Sequence, residues 1–254
     1  MTATALGWIE PDWPVPGHVR VLSTLRGGGV SEGQFASLNL AAHVGDRPEA
    51  VAANRLLLRE AAHLPDEPLW LEQVHGAEVA RHAGAVGRPP RADAAVAREP
   101  GRVCAVMTAD CLPVVFADRA GTRVGVAHAG WRGLVGGVLQ ATIAALEVPP
   151  LELRAWLGPA IGPAAFEVGP EVRDAYLANL AVSDTNSCFR PNERGRYLAD
   201  IYGLARLVLR EAGVASVHGG GWCTHRDAQR FFSFRRDAVT GRMATLAWLA
   251  PRAC

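Results

Sequence analysis

The chain has 254 residues, 49% of them hydrophobic and 20% charged, with a formal net charge of +1 at pH 7. A chain of that length buries most of its apolar surface without help from disulfides, and the even charge balance excludes the basic footprint of a nucleic-acid binder. The amino end lacks a basic stretch followed by an apolar core, and no apolar run approaches the ~18 residues of a membrane span. A soluble cytoplasmic protein is expected, with neither nucleic acid nor membrane as partner.

Cys104, Cys111, Cys188, Cys223 and Cys254 are odd in number and show no CxxC spacing, which argues against a disulfide framework and against a structural zinc finger. No repeat, low-complexity tract or linker interrupts the chain, so one domain over residues 1–254, working as a monomer, is the expectation.

In chain order, "HVRVLST" reads as a strand, followed by the glycine turn "RGGGVSEG" and the segment "FASLNLAAHVGD". "PEAVAANRLLLREAAH" is the first helix, with Asp46 as its cap, Glu49 in capping-box spacing and Pro48 in the first turn. Short strands are predicted in "PLWLEQV", "EVARHA", "RVCAVMT", "LPVVFAD" and "TRVGVAH", the last two joined by a hairpin-length "DRAGT". A helix starts at Trp131 in "WRGLVGGVLQATIAALEV", and two more follow in "PEVRDAYLANL" and "LADIYGLARLVLREAG". "SVHGGGWCTH", "RFFSFRR" and "RMATLAWLA" are read as closing strands, and the last residues, "PRAC", as a frayed end. Strands come in runs with helices between the blocks, which predicts mixed α+β layers.

If "LPVVFAD" and "TRVGVAH" pair antiparallel, Cys111 before the first and His128 at the end of the second reach the same sheet edge. Such a pair suits two zinc ligands, a Cys/His nucleophile couple, or two ordinary buried side chains. His75 in "LEQVHGAEV" ends an apolar run before a glycine and is the best third ligand among the eight histidines. A His/Cys/His set keeps a fourth zinc position open for water, as catalytic sites do. Spacing alone leaves the choice open.

The phrases "STLRGGGVSEGQFASLNLAAHVGDRPEAVAANR", "LEQVHGAEV", "TADCLPVVFAD", "VGVAHAGWRG", "WLGPAIGPAAFEVGPEV" and "CTHRDAQRFFSFRRDAVTGRMATLAWL" resemble, in order, the signature segments of one bacterial family. It is known as the laccase-domain or polyphenol oxidase family, and also as a purine nucleoside phosphorylase and peptidoglycan editing factor family. The resemblance covers about residues 20 to 250 and implies metal ligands at His75, Cys111 and His128. It also implies a layered α/β/β/α fold related to the toxin cysteine-hydrolases. The implied activity is zinc-dependent phosphorolysis of adenosine, inosine, guanosine and methylthioadenosine, with adenosine deamination besides.

Further roles follow from residue chemistry. Asp110, beside Cys111, is the expected catalytic proton shuttle or else a turn-capping carboxylate. Arg132 at a helix start and Arg26 beside a glycine turn are expected to hold phosphate, and Asn39 offers an amide to a nucleobase. Trp131 suits stacking, and Cys223 and His225 are read as structural.

Two other functions use the same residues. A copper polyphenol oxidase fits the older family name, since copper takes nitrogen and sulfur ligands readily, but a coupled copper cluster needs many imidazoles and no HxH pair occurs. A metal-free hydrolase editing peptidoglycan precursors would use Cys111 as nucleophile and His128 as base, leaving His75 dispensable.

Overall fold

Side chains along a strand alternate between its two faces, so a strand buried on both sides is apolar at every position. "LPVVFAD" and "RMATLAWLA" have that character, and both are central strands in the computed structural model of the chain. The structure describes residues 6–84, 87–180 and 184–251; residues 252–254, most of the expected frayed end, lie outside the described residues.

β1 (Trp8–Ile9) and β2 (Val19–Thr24) precede α1 (Pro48–Ala61), and β3 (Val79–Arg81), β4 (Ala94–Ala97), β5 (Cys104–Thr108), β6 (Leu112–Asp118) and β7 (Val124–Ala129) follow it. Then come α2 (Trp131–Val135), α3 (Val138–Leu146), β8 (Leu153–Leu157), β9 (Glu167–Val168), α4 (Pro170–Asn179), β10 (Phe189–Pro191) and β11 (Tyr197–Ala199). α5 (Ile201–Glu211), β12 (Ser216–Gly219), α6 (Phe234–Asp237) and β13 (Met243–Leu249) complete the order.

Two larger sheets stack face to face. One has the order β1-β2-β13-β5, the other β12-β8-β6-β7-β4-β3, and a small β10-β11-β9 sheet lies apart. Among the described residues, only β3 with β4 and β8 with β12 run as parallel ladders; the remaining ladders are antiparallel. Val115 and Ala117 of β6 meet Val19, Val21, Val106 and Ala247 of the other sheet, forming the inter-sheet core. Val114 and Phe116, one residue out of step, face Leu139 of α3 and Leu204 and Val208 of α5. On the far side of the four-stranded sheet, Leu22, Ala105 and Leu246 cover Leu58 of α1. The order of layers is therefore α/β/β/α, as the resemblance implies. Full burial of each Val, Leu or Phe is worth roughly 1.5–3 kcal/mol, so the alternation specifies the layering strongly.

Local chemistry departs from the sequence reading at four points. The helix expected to run unbroken from Trp131 stops at Val135 and restarts at Val138, because Gly137 adopts φ +88°, a left-handed conformation that favours glycine. Asp46 does not cap α1: its Oδ2 accepts from Ser31 Oγ and Asn39 Nδ2, and Arg47 occupies the cap position. "PLWLEQV" makes only isolated bridges, at Leu69 and Glu72. "RFFSFRR" holds α6 rather than a strand, since Ser233 Oγ accepts the Arg236 N–H and starts a helical turn. α5 is capped by a residue that the sequence reading did not single out: Asp200 accepts from the Gly203 N–H at 3.0 Å.

Candidate functional site

The β6–β7 hairpin pairs Leu112 with Ala129 and Pro113 with His128. Cys111, one residue before β6, therefore stands beside the end of β7, at the same edge as His128. His75 comes from the loop before β3 and has φ +61°, unusual for a residue with a side chain. A buried carboxylate holds that loop. Asp93, fully buried just ahead of β4, accepts the backbone N–H groups of Val74 at 3.1 Å, His75 at 2.9 Å and Gly76 at 2.7 Å. The same carboxylate takes His128 Nδ1 at 2.8 Å, leaving Nε2 for the site.

One donor atom from each of His75, Cys111 and His128 lies within 4.8 Å of the others. Cys111 Sγ is 3.9 Å from His75 Nε2, and the two imidazoles meet edge to face with centroids 4.7 Å apart. Around a tetrahedral zinc, such nitrogen and sulfur donors would stand about 3.3–3.6 Å apart, so modest side-chain rotation closes the set. Gly130 leaves the space: a Cβ there would fall 3.0 Å from both Cys111 Sγ and His75 Cδ2. Donor type, convergence and this bare backbone all fit a metal ion.

The electrostatics point the same way. Burial raises the Cys111 thiol, but the charge and hydrogen bond of His128, with His75 adding to them, bring it down to about 6. Burial opposes protonation of His128, yet Cys111 and Asp93 hold it up at about 9. Burial likewise opposes ionisation of Asp93, and the bonds from His128, Gly76 and Val74 keep its carboxyl below the usual range. A metal ligand needs the thiolate form, which this setting favours.

The three side chains line a cavity of about 350 Å³, within the range of small-molecule sites. Arginines paired with aromatic rings also line it: Arg132 lies 4.3 Å from the Trp131 ring centroid, Arg235 5.7 Å from Phe166 and Arg242 5.8 Å from Phe234.

The remaining predicted residues divide. Arg132 and Asp110 line the cavity. Asp110, however, is engaged on both oxygens: Oδ1 accepts from Thr224 Oγ1 at 2.6 Å, and Oδ2 from Ser233 Oγ at 3.0 Å and the Arg235 N–H at 2.6 Å. It clasps the Cys111 turn to the segments at 224 and 233–235, a geometry of support rather than of proton transfer.

Asn39 and Arg26 are not among the cavity residues. Asn39, expected at a nucleobase, is fully buried; its amide donates to Ala41 O and Asp46 Oδ2, and its Oδ1 accepts the N–H groups of Ala41 and Arg242. Arg26, expected at phosphate, donates from all three guanidinium nitrogens to the carbonyls of Ala36 and Ala228. Both residues are consumed by the loops they stabilise.

Sequence reasoning missed Asp93, Arg235 and Arg242. Asp93 sits in "RADAAVA", where a lone acid before small residues carries no signature. The arginines fell in segments read as strands, although their place in "FFSFRRDAVTGR" among aromatics was a usable signal.

Residues 20–250 match the family described as "Multi-copper polyphenol oxidoreductase laccase". "Purine nucleoside phosphorylase PA4543" of Pseudomonas aeruginosa is 55% identical over 243 residues, covering 95% of this chain and 98% of that protein. "Purine nucleoside phosphorylase YfiH" of Escherichia coli is 52% identical over 241 residues, covering 95% and 98%. Among solved structures, the Neisseria meningitidis protein NMB0706 superimposes with a TM-score of 0.92 at 52% identity, over 96% of this chain and 99% of that one. YlmD from Geobacillus stearothermophilus superimposes with a TM-score of 0.88 at 32% identity, over 98% of both chains.

Proposed function

We propose that this chain, which belongs to the multi-copper polyphenol oxidoreductase laccase family, is a purine nucleoside phosphorylase working through zinc held by His75, Cys111 and His128. Its nucleosides are adenosine, inosine, guanosine and methylthioadenosine, with adenosine deamination as a side activity. In this reading it is a cytoplasmic monomer of one domain, residues 1–254. Among the described residues, no helix is long and apolar enough to cross a membrane.

The observation that carries the reading is the convergence of three metal-type donors on a cavity lined by three arginine–aromatic pairs. Zinc, when bound, supplies a Lewis acid that can lower the pKa of water to about 7. Asp93 orients His128 and holds the His75 loop, so the backbone at His75 and the His128 ring are fixed by the fold before any ligand arrives. Trp131, Phe166 and Phe234 offer faces to a purine, and the arginines offer in-plane N–H groups to phosphate. In phosphorolysis a phosphate oxygen forms a bond to ribose C1′, the bond from C1′ to the purine nitrogen breaks, and that nitrogen takes up a proton as the base departs. The arginines balance the phosphate charge while this happens.

The same geometry weighs against a coupled copper oxidase. Among the described residues, His75, Cys111 and His128 form the one cluster of three or more metal-type donors, and a coupled multi-copper centre needs more imidazoles than that. Copper still fits the single site.

The test is to strip metal from the protein, restore zinc or copper separately, and follow each nucleoside with and without phosphate by product chromatography. Ribose 1-phosphate with free base supports phosphorolysis, and inosine from adenosine supports deamination. Undiminished turnover by the metal-free protein would sink the zinc mechanism.

One observation favours a second reading. Cys111, His128 and Asp93 form a thiol–imidazole–carboxylate chain of the kind that activates a cysteine nucleophile, which suits a metal-free hydrolase editing peptidoglycan precursors. His75 separates the two: His75→Ala abolishes turnover if zinc is required and spares it if the cysteine attacks alone.

A further inference from the structure

We infer that Arg242 is the residue that grips inorganic phosphate in this cavity; the assignment rests on the phosphorylase reading and adds a specific residue to it. The cavity is lined by three arginines against a single carboxylate, Asp110, whose oxygens are both engaged. Such a lining leaves positive charge for an anionic substrate to balance.

The three arginines are not equivalent. Arg132 and Arg235 are exposed and Arg242 is half-buried. The Arg132 guanidinium touches the Trp131 ring but makes no hydrogen bond among the described residues, so its rotamer freedom must be lost when it binds a ligand. Arg235 spends Nη1 on the Glu167 carbonyl.

Arg242 is held from two directions. Its backbone N–H donates to the buried Asn39 Oδ1 at 3.0 Å, and its Nη1 donates to the carbonyls of Thr240 at 2.8 Å and Gly241 at 3.1 Å. The turn behind it is tight, since a Cβ on Gly241 would fall 2.7 Å from the Phe232 ring and 2.9 Å from Asn39 Cβ. Nε and Nη2 have no acceptor among the described residues. A guanidinium anchored at one nitrogen, with two more N–H-bearing nitrogens free, suits a tetrahedral oxyanion. It shares the cavity lining with Cys111 and Asp110, whose negative charges favour the charged form of its guanidinium. Asn39 then acts through Arg242 as a positioning residue.

The experiment uses the zinc-loaded full chain, comparing wild type with Arg242→Gln and Arg242→Lys. Radiolabelled inorganic phosphate is measured by equilibrium dialysis, and KM is determined separately for phosphate and for inosine. The expectation for Arg242→Gln is weaker phosphate binding and a phosphate KM raised by about 10- to 100-fold, with the inosine KM within about twofold of wild type. Arg242→Lys, which keeps the charge and loses the fork, should fall between. Wild-type phosphate affinity in a folded Arg242→Gln protein overturns the assignment, as does an inosine KM that rises in step with that of phosphate. If Arg242→Gln does not fold, a phosphate KM unchanged in Arg242→Lys overturns it instead. Loss of a nucleoside 5′-monophosphate with inorganic phosphate retained also overturns it, by moving the residue to a substrate phosphate. Should the wild-type protein bind no phosphate and turn over independently of it, the phosphorylase reading itself fails.

Discussion

Asp93 and His128 are joined twice: the carboxylate Oδ1 lies 2.8 Å from His128 Nδ1, and the Asp93 carbonyl accepts the His128 backbone N–H at 2.7 Å. The same carboxylate holds the backbone on both sides of His75. One buried acid thus sets the orientation of one imidazole and the position of the other.

That arrangement makes Asp93→Asn informative, because the amide keeps the size but not the charge. Zinc affinity should fall by about 10- to 100-fold, as when other outer partners of metal-bound histidines are removed. Chelator competition measures it, and unchanged affinity would remove Asp93 from the metal centre.

Gly130→Ala tests the space left at the trio. Gly130 has φ −63°, which alanine adopts freely, so the cost comes from a methyl 3.0 Å from Cys111 Sγ and His75 Cδ2. The expected protein is folded by circular dichroism and deficient in bound metal by elemental analysis. Full metal content would mean that the ligands lie farther from Gly130.

In the metal-free protein the Cys111 thiol, lowered to about 6, is a thiolate at neutral pH. Because a depressed pKa keeps the anion present above it, alkylation by iodoacetamide should rise with pH around a midpoint near 6, not near the ordinary value of about 8.5. Cys104 is fully buried, and its thiol is pushed far up by burial alone, so it should stay unlabelled. Mapping the labelled peptide across a pH series checks both, and a midpoint near 8.5 would dismiss the influence of His128.

Asp110→Ala strands the hydroxyls of Thr224 and Ser233 and the N–H of Arg235. Each unsatisfied buried donor costs about 1–3 kcal/mol, so a loss of about 2–4 kcal/mol is expected after local relaxation. Denaturant unfolding measures it. A variant of wild-type stability with lost turnover would restore Asp110 to a proton-transfer role.

The layered α+β fold was legible in the chain because short apolar runs such as "LPVVFAD", "TRVGVAH" and "RMATLAWLA" come in blocks with helical segments between them. The pairing of Cys111 with His128 was legible for the same reason: a short hairpin fixes which residues end at which edge. Misreadings fell where distant partners overrule local preference. Asp46 looked like a helix cap until Ser31 and Asn39 claimed its carboxylate, and the aromatic "RFFSFRR" looked like a strand until Asp110 and Ser233 fastened it as a turn and short helix.

Sequence alone determined the longer helices and central strands, the main hairpin and the residue types able to hold a metal, since these depend on neighbours a few positions apart. Tertiary structure decided that Asp93 serves both histidines, that Asn39 and Arg26 are spent inside loops, and that Arg242 reaches the cavity. Those outcomes depend on hydrogen bonds between segments far apart in the chain: Arg242 meets Asn39 across 203 positions, and Ser233 meets Asp110 across 123. No local pattern encodes such pairs, because the chain must first bury its apolar faces before these polar groups can find one another.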